Sequence, residues 1–227
     1  MRINRSCRNL SLIGILVVLI MGNATRANAV SLQLPSTIRV GIRDEKGNIA
    51  QCNPVEFNFY VKHVLPEEWP DTSDIEALKA GAVAVKEYGW YWVNQGGKYA
   101  GNRRESGQTC DADVDNTTKT QVYNPDETRT VKTPEGATVP KNNYFKTNFA
   151  VDSTWDVGML EGGRVFESGY RDSKPGSNQM SQQGSNMLAK QGKPYRAILG
   201  NYYKKPKLEI FSTLPLINIC KIPSSSN

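Results

Sequence analysis

Everything in this chain has to accommodate one stretch, Phe59 to Trp92, which reads FYVKHVLPEEWPDTSDIEALKAGAVAVKEYGWYW. Its second half predicts a long helix. The apolar positions Ile75, Leu78, Ala82, Val85, Gly89 and Trp92 step by three and four residues, which stacks them on one face. A second stripe, Ala77, Ala80, Gly81 and Ala84, consists of small residues and calls for close approach by a neighbour. The helix is therefore expected to be buried on more than one side and to act as the central post of the domain. Ser73 and Glu76 fit a capping box at its start. A first helix is expected to open at Asn53-Pro54-Val55-Glu56, a cap followed by proline at the first helical position. Its buried face would be Phe57, Tyr60, Val61, Val64 and Leu65, and Pro66 would end it. Glu67 and Glu68 then fall in the turn between the two helices, beside Trp69. A carboxylate held against apolar surface has its pKa raised, which suits a general acid. The plainer alternative is a solvated pair at a helix entry, favoured by the helix dipole.

The first 29 residues read as a targeting segment. Arg2, Arg5 and Arg8 form a basic region, Leu10 to Met21 an apolar run of signal-peptide length, and Ala27-Asn28-Ala29 an A-x-A cleavage site. The expected organisation is a signal peptide over 1–29, one domain over 30–215 and a flexible tail over 216–227. Cleavage would leave 227 − 29 = 198 residues, enough for one domain with a sizeable core. Four arginines leave with the signal, so the balance becomes 28 − 4 = 24 basic against 22 acidic residues. A net charge of 24 − 22 = +2 with no basic run gives no ground for a nucleic-acid partner. Cys52, Cys110 and Cys220 remain, and an exported chain can keep a disulfide. Sequence alone does not choose the pair, although the polar tail around Cys220 favours Cys52 with Cys110. His63 is the single histidine; it is either a proton shuttle or a packed residue. Trp69, Trp90, Tyr91 and Trp92 are candidates for stacking on the faces of a bound ring, with core packing as the alternative.

Along the rest of the chain, Thr37 to Arg43 alternates as a half-buried strand and Asp44 to Asn48 is a turn. Residues 96–120 read as a long polar loop. Short strands are expected at Gln121-Val122-Tyr123, Arg129 to Thr133, Ala137 to Val139 and Phe145 to Val151. Residues 168–179 read as a surface loop, Met180 to Gln191 and Tyr195 to Tyr203 as helices, and Leu208 to Phe211 as a closing strand.

The pattern resembles the SpoIID/LytB family, named after stage II sporulation protein D and an amidase enhancer. Tyr60, Val61, Val64, Leu65, Glu68 and Pro70 match the first part of the family's motif. Glu76, Ala77, Leu78, Lys79, Ala80, Ala82, Val83, Ala84, Lys86 and Tyr88 match the second. Gln121, Val122 and Tyr123 correspond to its Q-V-Y. The C-terminal third adds Met180, Ser181, Gln182, Gly184, Leu188, Ala189, Gln191, Gly192, Tyr195, Ile198, Leu199, Tyr202 and Tyr203.

The resemblance implies an α+β fold, a single domain in which a central helix pair packs against short β-strands beside a glycan groove. It implies an exported peptidoglycan lytic transglycosylase, a sporulation-like cell-wall enzyme in the periplasm, wall or medium. Such an enzyme cleaves MurNAc-GlcNAc bonds to 1,6-anhydro products. Glu68 is the implied general acid and base, with Gln121, Tyr123, Ser181 and Gln182 as substrate-binding residues. The family's enhancer branch implies an alternative, a non-catalytic peptidoglycan-binding module that recruits or stimulates a cell-wall amidase. An exported structural protein is a third reading. Many members carry H-C before Q-V-Y, and some bind zinc there. Lys119 and Thr120 stand at those positions, so no metal and no cofactor are expected. The family's G-H-G has no counterpart near Pro175 to Ser177, and its S-x-G-G none near Val151-Asp152-Ser153.

If the targeting segment is read correctly, secreted protein begins at Val30. N-terminal sequencing checks this, and a start upstream of Leu10 would contradict it.

Overall fold

The computed structural model describes residues 33–212 apart from 71, 104–108, 127–129, 133–135, 141–144, 177 and 205–207. The expected signal segment, Cys220 and the tail from 216 onward lie outside the described residues. Helix α2 (Ile75–Asn94) runs through the middle of a single α+β domain. Every residue from Ala77 to Trp90 except Lys79 is buried, as suits a helix apolar on all sides. Around it pack α1 (Phe57–Glu68), α3 (Phe145–Asp152), α4 (Gln182–Lys190) and α5 (Tyr195–Tyr202). Strands β1 (Thr37–Arg43) and β8 (Val157–Glu161) close the remaining sides.

The small-residue stripe has a definite purpose. A methyl group built on Gly81 would lie 2.9 Å from the indole carbons of Trp69 and 3.1 Å from Leu65. The missing side chain thus lets α2 close on the residue that follows α1. Gly89 does the same against Phe57 and Ile38, at 3.0 and 3.2 Å.

The expected apolar face of α1 is buried as read, but its ends differ. Asn53 to Glu56 are not a helix start: they finish strand β2 (Ile49–Glu56). That strand pairs antiparallel with β1, Pro54 opposite Arg39, in a sheet of order β2-β1-β5. Pro54 is tolerated because β2 is an edge, where the absent N–H breaks no ladder. Glu56 caps α1 instead, its carboxylate accepting from the N–H groups of Asn58 and Phe59. Pro66 does not end α1; it lies in the last turn, and the helix continues to Glu68. Glu67 and Glu68 are therefore at a helix C-terminus rather than at an entrance. The capping box also shifts by one residue. Asp74 caps α2 by accepting from the Glu76 N–H at 2.9 Å, while the Glu76 carboxylate holds Lys79 and the Tyr195 N–H.

The stretch read as one long loop contains β3 (Tyr99–Arg103), β4 (Thr109–Ala112) and β5 (Val114–Asp115). Its polarity is misleading because two of its acids, Asp113 and Asp115, are buried with partners. Asp113 takes the Arg39 guanidinium at 2.6 Å, and Asp115 takes that of Arg43 at 2.6 Å. Cys52 and Cys110 form a disulfide that ties β2 to β4. Two short strands, β6 (Thr130–Lys132) and β7 (Thr138–Pro140), pair as a hairpin. Phe145 to Val151 is helical rather than extended: Thr147, Ala150 and Val151 are its buried residues, a spacing of three and four. Gln121 to Tyr123 has no strand partner among the described residues. Strand β8, which the sequence reading missed, pairs with β11 (Leu208–Ser212), and β9 (Tyr170–Arg171) pairs with β10 (Met180–Ser181). Trp69 and Trp90 are core residues, not exposed stacking platforms, and Trp92 is half-buried.

Two charged residues of α2 are enclosed as well. Lys86 donates to the carbonyls of Thr154 and Trp155, both at 2.7 Å. Glu87 accepts from the Met159 N–H at 3.1 Å. Burial pushes the Lys86 ammonium down and the Glu87 carboxyl up.

Two glycine substitutions separate these packing demands from helix propensity. Gly81→Ala is expected to destabilise by about 1–3 kcal/mol, because the indole it meets is rigid and buried. Gly200, on α5, has open space around it, so Gly200→Ala is expected to stabilise by up to about 1 kcal/mol. Chemical denaturation of both variants tests the contrast.

Candidate functional site

The site is assembled by segments remote in sequence. Buried Asp115 organises the first. Its carboxylate accepts from Tyr99 at 2.8 Å and from the N–H and hydroxyl of Thr117 at 3.0 and 2.9 Å. The Thr120 hydroxyl bonds to the backbone of Asp115 on the other side of the turn. Burial opposes the Asp115 charge, yet Arg43, Thr117 and Tyr99 outweigh it and hold the acid below the usual carboxylate range. This closed turn delivers Gln121 and Val122 to the end of α1.

Gln121 is fully buried. Its carbonyl accepts from Tyr60 at 2.7 Å, and its amide donates to the Val85 carbonyl at 3.2 Å and to the Tyr170 hydroxyl at 2.9 Å. Tyr170 comes from β9, which pairs parallel with β10 so that Tyr170 lies opposite Met180. Ser181 caps α4, accepting from the Gly184 N–H at 2.9 Å, and Gln182 opens the helix. Trp69 seals the floor, its ring 4.9 Å from that of Tyr170 and its N–H donating to Ser185 at 3.3 Å.

Glu68 sits where these pieces meet. Oε1 accepts from the Val122 N–H at 2.7 Å and Oε2 from the Gln182 amide at 3.2 Å. Tyr170, whose oxygen accepts from Gln121, lies close enough to the carboxylate to act on its charge. Burial raises the Glu68 pKa most strongly. The bonds from Val122 and Gln182 oppose the rise, the Glu67 charge adds to it and the Tyr170 hydroxyl opposes it, leaving the group above the ordinary glutamate value. The donors are all neutral. The C-terminal position on α1 works in the same direction as burial, since that end of a helix carries partial negative charge. A carboxylate has about four lone-pair directions. Val122 and Gln182 occupy two, which leaves room for a proton or a ligand.

Of the residues singled out from sequence, Glu68, Gln121 and Gln182 converge. Ser181 is adjacent, but its hydroxyl is used in capping. Tyr123 packs 5.4 Å from the Tyr60 ring and 6.2 Å from His63, and does not touch the carboxylate. Its outer face contributes to a hollow of about 490 Å³ that Val122 also lines. His63 is buried in this packing, and its Nδ1 donates to the Phe59 carbonyl 2.7 Å away. Tyr60 and Tyr170 were not anticipated as part of the site. A lone tyrosine in an otherwise polar stretch, SGYRDSKPGSNQ, was the available signal for Tyr170. A larger cleft of about 810 Å³ opens on the Tyr170 side. Lys119 and Thr120 offer no soft ligand. Among the described residues no three His, Cys, Asp or Glu side chains converge, so this site does not fit zinc.

The chain matches the profile of SpoIID, Stage II sporulation protein, over residues 45–159. It belongs to the SpoIID family. At the level of the family this is a sporulation- and cell-wall-related function. The matched segment includes Glu68, Gln121 and Val122, whereas Tyr170 and Gln182 lie beyond it. The chain is also similar to an uncharacterized protein of Brachyspira hyodysenteriae, 40% identical over 72 residues. That alignment covers 32% of this chain and 17% of the relative. Among the described residues of this SpoIID chain, no helix is long and apolar enough to cross a membrane.

The raised Glu68 pKa has two measurable consequences. Carboxyl titration by carbon NMR is expected to place Glu68 above an ordinary glutamate. Glu67→Gln should lower the value and Gln182→Leu should raise it. An acid whose pKa is raised on folding stabilises the fold below its unfolded pKa, and that contribution is lost as pH rises through the folded pKa. Relative to wild type, Glu68→Gln should therefore gain melting temperature as pH is raised through that window. A Glu68 pKa below the ordinary value would refute the electrostatic account.

Proposed function

We propose that this protein is an exported lytic transglycosylase acting on peptidoglycan glycan strands. The reading is carried by Glu68, a half-buried carboxyl of raised pKa held by neutral donors at the edge of two hollows. Val122, which lines the smaller hollow, donates to it, and Tyr170, which lines the larger, acts on its charge. A glycan strand would run past the carboxyl along these hollows.

In the reaction, protonated Glu68 donates its proton to the glycosidic oxygen as the bond to the muramic acid C1 breaks. The resulting carboxylate then takes the proton of the same sugar's C6 hydroxyl as that oxygen bonds to C1. The products are a 1,6-anhydro end and a new free hydroxyl, with Glu68 returned to its acid form. The nucleophile belongs to the substrate, so the second carboxylate used by ordinary glycosidases is not needed. Val122, Gln182 and Tyr170 orient the acid and stabilise its anionic form between the two proton transfers.

One observation favours a second reading. Both Glu68 oxygens are already engaged by protein donors. A carboxylate fixed in this way also serves a non-catalytic glycan-binding module that recruits or stimulates a cell-wall amidase.

Purified glycan strands decide between them. Glu68→Gln keeps the shape but removes the transferable proton, so turnover should fall about 10²–10⁴-fold with strand binding nearly intact. Glu67→Gln should cost far less. Mass analysis for 1,6-anhydro ends provides the readout. Equal cleavage by wild type and Glu68→Gln would end the assignment. Binding without cleavage by wild type would favour the recruiting module.

A further inference from the structure

The larger cleft is charged in a way that Glu68 chemistry does not require. Its lining carries Lys98, Lys119, Arg164 and Arg171 against Glu161 and Glu167. The other half of the lining is aromatic and neutral, with Tyr88 and Tyr91 from α2 and Tyr170 at the Glu68 end. Lys98 is committed to the protein: its ammonium lies 3.1 Å from the Tyr88 hydroxyl, 4.0 Å from Glu167 and 4.8 Å from the Trp92 ring. Lys119, Arg164 and Arg171 are different. They are exposed, and their side chains make no ion pair among the described residues.

Three cations without internal partners line one concave surface of a chain whose expected mature net charge is only +2. Such a concentration raises the local density of anions, and arginine forks suit carboxylates in particular. Asn178, the only described non-glycine residue with a left-handed φ (57°), also borders the cleft. Backbone of this kind gathers at ligand sites.

Tyr170 lines the cleft and also neighbours the proposed reaction centre, where it bonds Gln121 and feels the Glu68 charge. A ligand entering it would be part of the molecule whose backbone passes Glu68. The sugar ring oxygens and N-acetyl groups of a glycan strand are neutral. Its anionic groups are the carboxylates carried on muramic acid, either the lactyl carboxylate itself or those of an attached stem peptide. We propose that this cleft is a carboxylate subsite, in which Lys119, Arg164 and Arg171 recognise the acidic substituent of muramic acid while the strand lies at Glu68. This rests on the glycan-strand reading above and adds to it a means of telling muramic acid from N-acetylglucosamine. None of the three cations touches Glu68, so their role is specificity.

The test measures binding by the Glu68→Gln protein, which holds strands without cutting them. Three probes of equal length are compared: neutral chitooligosaccharide, denuded glycan strands and peptide-bearing strands. Denuded strands are expected to bind about tenfold more tightly than chitooligosaccharide, the scale of a few exposed charge pairs. The gap should shrink in high salt. Adding Lys119→Gln, Arg164→Gln and Arg171→Gln should close it, with chitooligosaccharide affinity and melting temperature unchanged because all three side chains are exposed. Tighter binding of peptide-bearing than denuded strands would assign the carboxylate to the stem peptide, and the reverse to the lactyl group. A preference for muramic acid that survives the triple substitution overturns the subsite but leaves the glycan reading standing. Equal affinity of the starting protein for all three probes does the same. Failure to bind any of the probes overturns both.

Discussion

The whole structure depends on the enclosure of α2. A twenty-residue helix buried along most of its length must be covered from every direction, and no single neighbour can do that. Four helices and two strands divide the task, so the domain is a shell built around one post. Close approach is essential to this arrangement. Where Gly81 meets the Trp69 indole, the end of α1 is pinned to the post, and with it the carboxylate one residue earlier. Packing deep in the core thereby sets the position of Glu68.

The polar groups of the interior follow from the same enclosure. Lys86 and Glu87 face different neighbours, one holding the turn after α3 and the other the edge of β8. A buried charge is weak evidence for stability, because its desolvation costs several kcal/mol. Here each bond ties α2 to a different part of the shell around it. Asp113 and Asp115 do comparable work outside the helical core. They join β1 to the segment around β5 through Arg39 and Arg43, and the closed turn at Asp115 presents Gln121 and Val122.

At Glu68 the electrostatic balance differs from that at Asp115. Both are enclosed acids with several donors. Asp115 has an arginine and is held below the normal range, whereas the donors to Glu68 are neutral and it is held above. Adding a cation at Glu68 would keep it permanently ionised and unfit to give up a proton. The cations of the neighbouring cleft, Lys119, Arg164 and Arg171, share its lining with Tyr170 and make no bond to Glu68 among the described residues. The proposed proton transfer and the proposed anion recognition would therefore not cancel each other.

Much of this was legible along the chain wherever a local rule operated. The period of α2, the buried face of α1, the turn at Asp44 to Asn48 and the helix at Tyr195 depend on residues a few positions apart. Glu68, Gln121 and Gln182 were marked by motif register. The misread segments were those in which a distant partner reversed the local signal. Parts of the polar stretch 96–120 became strands β3, β4 and β5, where Arg39, Arg43 and Cys52 supply partners for Asp113, Asp115 and Cys110. Phe145 to Val151 looked extended by composition, yet the surface it meets accepts a helical stripe. The targeting segment, by contrast, remains a reading of local pattern alone. Three-dimensional packing alone could bring Val122, Tyr170 and Gln182 onto one carboxylate. They lie 54, 102 and 114 residues from Glu68, and no local propensity acts over such separations. Their convergence, and the pKa that follows from it, is a consequence of how the shell closes around α2.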